Sequence, residues 1–346
     1  MIKPKVSVII PLYNYAKFLP RSVFSVLQQT MADFELIILN DGSTDEGLQV
    51  AQRLEKKDRR IRVLTQENKG LVASLNRLAK EARGQYIAQL NADDMYLPNR
   101  LAMAMADFDC DPNLAVCFSG WHALDDKGQP TRRICHRALG ALENEKLMER
   151  MVVCNCVCAS SAVVSRNHLN MVGDYARQFP EAHDYDLWLR LALVGNMKLR
   201  AEDGAVYFLH GNNMSERNLH ASWSELVQIH EDLSRKVVHR WKLHESIWPI
   251  LLGEKARMAM NGKLHSDARR LLEQKEKIAR LGLQEYIWLL ECLVEQGLNS
   301  QARTIFDGLA GTITDLEPEA QRRIRNLMQR QERKSVSVSH SSSLAS

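Results

Sequence analysis

Asp93 and Asp94 stand side by side after the short apolar run Tyr86-Ile87-Ala88, with Leu90 following and Pro98 just beyond. Adjacent carboxylates repel, and the arrangement is costly unless a cation or hydrogen-bond donors lie between them. Two readings are open. One is a divalent-metal site that holds a diphosphate; the other is a polar turn capping a helix that begins near Pro98. Other polar groups stop apolar runs in the same way: Pro11-Leu12-Tyr13-Asn14, Asn40-Asp41-Gly42-Ser43-Thr44-Asp45 and Glu67-Asn68-Lys69-Gly70. A second acidic cluster, Glu181-Ala182-His183-Asp184-Tyr185-Asp186, leads into Leu187, Leu191 and Val194 at helical spacing. That spacing predicts a helix from about Asp184, with Asp184 and Asp186 in its first turn, where the helix dipole favours anions.

The elements that must carry these residues alternate. Val6-Ser7-Val8-Ile9-Ile10, Phe34–Leu39, Ile61–Leu64 and Tyr86–Leu90 read as buried strands. Between them, about 18–29, 46–58 and 71–82 carry helical apolar stripes. The alternation predicts an α/β fold with parallel strands and right-handed crossovers. Every suspect polar group then falls at a strand end, and strand ends of such a sheet converge on one crevice, where ligands bind. There is no G-x-G-x-x-G and no P-loop lysine. A diphosphate would lack a glycine cradle, so a metal held by carboxylates is the natural neutraliser. Later segments predict a helix from Pro98 to Ala106, a strand over 114–120, a turn at Asp125-Asp126-Lys127-Gly128 and a helix over 142–151. A strand is expected through the alternating Cys154, Cys156 and Cys158, then two closing strands, Met197–Arg200 and Ala205–Leu209. Alternating cysteines suit strand packing rather than zinc, which uses pairs two to four residues apart. Arg132 and Arg133 read as a solvated basic spot.

The whole chain of 346 residues fits about two domains. A net charge of +4 is too weak at this length to argue for nucleic acid. Seven cysteines, no secretory signal and no apolar run near the ~20 residues of a membrane span give the cytoplasm as the expected setting.

The set Val8-Ile9-Ile10-Pro11-Leu12-Tyr13-Asn14, Asn40-Asp41-Gly42-Ser43-Thr44-Asp45, Glu67-Asn68-Lys69-Gly70 and Asn91-Ala92-Asp93-Asp94, in that order and spacing, resembles the family 2 glycosyltransferases of the GT-A fold. The resemblance covers roughly residues 5–215. It implies a Rossmann-like, mostly parallel sheet with helices on both faces and a nucleotide-sugar donor, UDP- or GDP-linked. Pro11 and Tyr13 would flank the base, Asp41 would bond its edge, and Asn68, Lys69 and Asn91 would lie against the nucleotide. Asp93, helped by Asp94 and by His210 after the last strand, would hold Mn²⁺ or Mg²⁺ on the diphosphate. Asp184 would be the base of an inverting single displacement. Two residues depart from the family pattern: Asn91 stands for an aspartate, and His183 for the first acid of an acidic pair, with Glu181 able to replace it in part. His183, Ser160 and Ser161 belong to the expected acceptor region.

From about Ser222 the strand signals vanish. Residues 261–272 and 296–306 look alike, with Ala268 and Ala302 separated by 302 − 268 = 34 residues, a spacing that resembles tetratricopeptide helix pairs. The expected division is a glycosyltransferase domain over 1–215 (nucleotide-sugar half 1–98, acceptor half 99–215), a helical domain over 216–333 and a disordered tail over 334–346. The resemblance further implies a glycan or lipid-linked acceptor in bacterial surface polysaccharide or glycolipid synthesis, with work at the inner face of the membrane. A protein partner on the C-terminal helices is also expected. The rival reading is a catalytically silent binding or scaffold protein whose C-terminal helices recruit partners. A nucleotidyltransferase would need a glycine- and lysine/arginine-rich loop where Pro11-Leu12-Tyr13-Asn14 stands.

Overall fold

The computed structural model describes residues 3–125, 127–131, 141–153, 155–211, 213, 219–229, 232–233, 235–243, 247–261, 263–277, 279, 281, 283–296, 298, 300–306, 322 and 326. Arg132, Arg133, Asp126, Cys154 and the tail 334–346 lie outside them. Contacts divide the chain into two units, Met1–Asn218 with Ile229–Leu243, and Leu219–Gln228 with His244–Ser346.

The first unit is built on a mixed, mostly parallel sheet with helices on both sides. Its strands are β1 (Val6–Leu12), β2 (Phe34–Asp41), β3 (Ile61–Gln66), β4 (Tyr86–Gln89), β5 (Met95–Tyr96), β6 (Leu114–Asp125), β7 (Leu142–Glu143), β8 (Ala162–Ser165) and β9 (Asn196–Leu209). The order is β3-β2-β1-β4-β8-β6-β9-β5, with β7 also on β9. The first four strands are parallel, as the alternation predicts, and β8 runs antiparallel between β4 and β6. The helices between the parallel strands are α1 (Leu19–Leu27), α2 (Gly47–Glu55) and α3 (Leu71–Glu81); α4 (Arg100–Cys110) follows β5. Val6, Val8, Ile10 and Leu12 of β1 join one core with Leu19, Val23 and Val26 of α1 and Leu101, Ala104 and Phe108 of α4. Ile9 is fully buried but is not in that core, as a two-residue side-chain period requires of a strand covered on both faces. Each such fully buried aliphatic contributes about 1.5–3 kcal/mol.

Two expectations fail. The cysteine stretch is not a strand: Cys156 and Val157 are both buried in a loop, and the strand is the four-residue Ala162–Ser165, reached through a 3₁₀ turn at Ala159–Ser161. Flanking serines hid so short an apolar run. The two closing strands are one, because Asp203 and Gly204 stay extended. The β6–β9 register shifts around Gly120 with the extra residues on β9, as in a β-bulge, and Leu97 donates its N–H to the Gly204 carbonyl at 2.9 Å.

The remaining helices of this unit are α5 (Asn144–Met151), α6 (Arg166–Val172), α7 (His183–Leu191) and, later in the chain, α9 (Arg235–Trp241). The second unit takes α8 (Leu219–Ile229) up to Gln228 together with α10 (Ile247–Asn261), α11 (His265–Glu276), α12 (Leu283–Glu295) and a helix over 300–306. Its backbone repeats. Leu264 N–H bonds the Ala259 carbonyl and Ala268 N–H the Leu264 carbonyl; 34 residues on (298 − 264), Leu298 bonds Leu293 and Ala302 bonds Leu298. Ala268 and Ala302 are both fully buried. Among the described residues no helix is long and apolar enough to cross a membrane.

Candidate active site

The C-terminal ends of β1, β2 and β4, the start of α7 and parts of β6 and β9 enclose one cleft of about 760 Å³. It brings together Pro11, Tyr13, Asp41, Asn68, Asn91, Asp93, His183 and Asp184. Lys69, Asp94, Ser160, Ser161 and His210 are not on its surface.

At the β1–β2 end, loops lock one another. Asn14 adopts φ +58°, and its side-chain oxygen accepts the N–H groups of Thr44 and Asp45 at 2.8 and 3.3 Å. Asp41 is buried and accepts N–H bonds from Gln66 (2.7 Å), Lys69 (2.9 Å) and Gly70 (2.9 Å). A carboxylate has about four acceptor positions, so one remains for a ligand. Lys69 thus holds Asp41 through its backbone N–H. Gly42 (φ +69°) cannot be replaced without loss, since a Cβ there would lie 2.7 Å from the Asn68 nitrogen.

The acidic pair splits. Asp93 opens on the cleft, and its Oδ2 meets His210 Nε2 at 3.0 Å, 117 residues away. Asp94 is wholly buried. It accepts bonds from the Ser160 hydroxyl (2.5 Å), the Phe208 N–H (3.2 Å) and the Asn91 amide (3.2 Å). Burial, with the Asp93 charge second, pushes its carboxyl well above the ordinary range. Its oxygens are thus engaged inside the fold, contrary to the expectation of a metal helper. Ser160 is consumed by this bond and by accepting the Asn91 N–H at 3.1 Å; Ser161 bonds the Cys158 carbonyl at 2.7 Å. Both are buried, so neither hydroxyl faces an acceptor, which corrects their expected place.

Sequence reasoning missed the support for this turn. Ser22 and Ser25 of α1 and Gln29, two residues past its end, are buried polar groups. Ser22 bonds the Asn91 carbonyl, Ser25 receives the Tyr96 N–H, and Gln29 bonds the Leu97 carbonyl and the Leu101 N–H. The serine–serine–glutamine spacing is helical and was the available signal. Arg21 adds charge. Its guanidinium donates to the Asp93 carbonyl at 2.8 Å and lies over the Phe208 ring at 3.3 Å, burial lowering its pKa against the pull of Asp94 and Asp93. His210 in turn stacks on Phe18 at 4.8 Å. Replacing Arg21 by Met keeps the apolar stem but removes the charged bond; a loss of about 1–3 kcal/mol is expected. Urea denaturation reads it as a lower midpoint at constant slope, and an unchanged midpoint would make the contact dispensable.

Across the cleft, Asp184 sits in the first turn of α7, its Oδ1 accepting the Tyr185 N–H at 2.7 Å. Asn155, another residue the sequence did not single out, donates to Oδ2 at 3.4 Å. His183 Nδ1 donates to the Pro180 carbonyl at 2.9 Å, fixing the neutral ring's Nε2 as an acceptor. Asp186 instead pairs with Arg190 at 2.6 Å and is structural, in line with its helix-turn reading. Cys158 lines the cleft with its thiol held protonated by burial. Among the described residues no three His, Cys, Asp or Glu side chains form a closed metal cage.

Residues 7–170 match the family model described as Glycosyl transferase family 2. The chain is similar to the chondroitin synthase of Escherichia coli, 30% identical over 240 residues, covering 69% of this chain and 34% of that protein. It is also similar to the hyaluronan synthase of Pasteurella multocida, 28% identical, covering 70% and 24%. The chain thus spans about a third of the length of the first relative and about a quarter of the second. In fold it resembles S. aureus TarS 1–349, solved with UDP-GlcNAc, at TM-score 0.60 and 18% identity over 96% of this chain and 92% of that one. The mannosyltransferase PcManGT of Pyrobaculum calidifontis, solved with GDP-Man and Mn²⁺, has TM-score 0.53 and 16% identity over 97% and 88%. The chain carries a glycosyl transferase family 2 domain, built on the GT-A fold.

Proposed function

We propose that the protein transfers a sugar from a UDP- or GDP-sugar to a hydroxyl acceptor, with inversion, aided by Mn²⁺ or Mg²⁺, in polysaccharide or glycolipid synthesis. The observation that carries this reading is a single cleft lined by Tyr13, Asp41 and Asp93, from the ends of β1 and β2 and just past β4, together with Asp184 from the start of α7. The exposed Tyr13 ring offers a face to the base, and Asp41 keeps one acceptor position for its edge. Asp93 and His210 supply one oxygen and one nitrogen at 3.0 Å, which suits Mg²⁺ or Mn²⁺, ions that complete their shells with substrate phosphates and water. When bound there, the ion would neutralise the diphosphate and stabilise its departure.

In the transfer itself, the acceptor oxygen bonds the anomeric carbon as the bond from that carbon to the β-phosphate oxygen breaks. The hydroxyl proton passes to the Asp184 carboxylate, and the nucleoside diphosphate leaves with the electron pair. Asn155 and the Tyr185 N–H hold that carboxylate in place. The polysaccharide synthases among the relatives support the setting.

A panel of UDP- and GDP-sugars, each with and without Mn²⁺, tests the reading by thermal shift and by donor hydrolysis. At least one donor is expected to stabilise the protein in a metal-dependent way by about 2–4 kcal/mol at 100–1,000 times its dissociation constant. No stabilisation by any donor would overturn it.

A further inference from the structure

Beyond Asp184 the reading above leaves one wall of the cleft without a role. It is formed by β6 and β9, which run parallel with Trp121 opposite Ala205 and Ala123 opposite Tyr207. Two-residue alternation puts all four on one face. Trp121 and Tyr207 are half-buried, line the cleft, and meet at 5.8 Å with their planes 66° apart, so they make a corner of two crossed aromatic faces.

Resting on the proposed transfer, we infer that this corner is the subsite for an uncharged pyranose ring of the acceptor, the ring whose hydroxyl reaches Asp184. A pyranose presents an apolar C–H face bordered by hydroxyl donors. The crossed rings match the face. Polar groups at and just before the start of α7, which line the same cleft, match the border: the carboxylates of Glu181 and Asp184 and the accepting Nε2 of His183. Among the described lining residues there is no lysine or arginine, so a phosphate or carboxylate at this point would meet two carboxylates and no counter-ion. An alkyl chain would cover the rings but strand those carboxylates against hydrocarbon, which is costly. The donor's nucleotide is assigned to the β1–β4 side as far as Asp93, and the donor's own sugar is the rival occupant of the corner that the test separates.

The test uses the full chain with Mn²⁺ and whichever of UDP or GDP binds, and titrates the methyl β-glycosides of glucose, galactose and their N-acetyl-2-amino forms by saturation-transfer NMR. Glycerol 3-phosphate and octanol are the contrasting probes. At least one glycoside is expected to bind, with its C–H protons closest to the protein, and the contrasting probes are expected not to displace it. Trp121→Ala should weaken it by about tenfold, Trp121→Phe by much less, and both should keep nucleotide affinity within about twofold. The assignment is overturned if no glycoside binds, if octanol or glycerol 3-phosphate displaces it, or if Trp121→Ala leaves it unchanged. Displacement of the glycoside by the intact nucleotide-sugar, or a loss of nucleotide-sugar affinity in Trp121→Ala while free nucleotide binds as before, would give the corner to the donor, which also overturns it. Absence of nucleotide binding by the unaltered protein would sink the transferase reading itself, a separate outcome.

Discussion

Asp184→Asn is expected to lower the turnover of sugar transfer by about 10²–10⁴, the usual contribution of a positioned base, with the donor's dissociation constant unchanged within about twofold. The split follows from position. Asp184 comes from α7, and the groups that hold it, Asn155 and the Tyr185 N–H, are separate from the β1, β2 and β4 ends that carry Tyr13, Asp41 and Asp93. Asparagine keeps the volume and one accepting oxygen, so α7 should form normally. Because asparagine cannot take the hydroxyl proton, only the chemical step should suffer. Single-turnover transfer and donor titration separate the two quantities. Near-full turnover by this variant would remove Asp184 from the role of base and shift attention to Glu181 or His183.

The neighbouring Asp186 sharpens this. It has the same side chain, two residues on, in the same first helical turn, yet it is closed off by Arg190 through two bonds of 2.9 and 2.6 Å. Residue type and spacing treat the two acids alike. Only the direction of each side chain around the helix separates them, and that depends on which face α7 buries.

The same limit governs what the sequence made legible. The βαβ rhythm of the first hundred residues was readable because each parallel strand is buried on both faces and so appears as an unbroken apolar run. Tyr13, Asp41, Asn68 and Asp93 were readable as lining one crevice because strand ends of a parallel sheet converge; Asp94, read with them, is turned into the fold. The support of the site was not. α1 showed only its apolar stripe, Leu19, Val23 and Val26. The buried Ser22 and Ser25, and Gln29 just past the helix, look like solvent-facing residues until the turn they satisfy is folded against them. Ser160 was expected in the acceptor region on the family resemblance, but its hydroxyl serves a carboxylate 66 residues earlier. Asn91 reads as a departure from relatives; in the fold its amide gives Asp94 a donor where an aspartate would give a third repelling carboxylate.

Alanine at Asp93 and at Asp94 should therefore fail in opposite ways. Asp93→Ala is expected to fold, because Asp93 opens on the cleft, but to lose the metal-dependent part of nucleotide affinity by about tenfold or more. Asp94→Ala leaves the Ser160 hydroxyl and the Phe208 N–H buried without their acceptor and takes a partner from the half-buried Asn91 amide. At about 1–3 kcal/mol for each buried group, the loss is about 2 kcal/mol or more, a large part of the 5–15 kcal/mol that folds a domain. Denaturant unfolding and metal-dependent nucleotide titration on both variants decide the matter; a stable Asp94→Ala that lacks metal-dependent binding would reverse the assignment. The pH dependence offers an independent check. Asp94's folded pKa is raised, chiefly by burial, so the folded chain keeps a proton that the unfolded chain releases near pH 4. That contribution to stability is complete below about pH 4 and is lost as pH rises through the raised folded value. The unaltered protein should lose stability across this window. Asp94→Asn, which does not titrate, should lose the part of the slope that Asp94 causes, and an identical slope in the two proteins would place the uptake of that proton elsewhere.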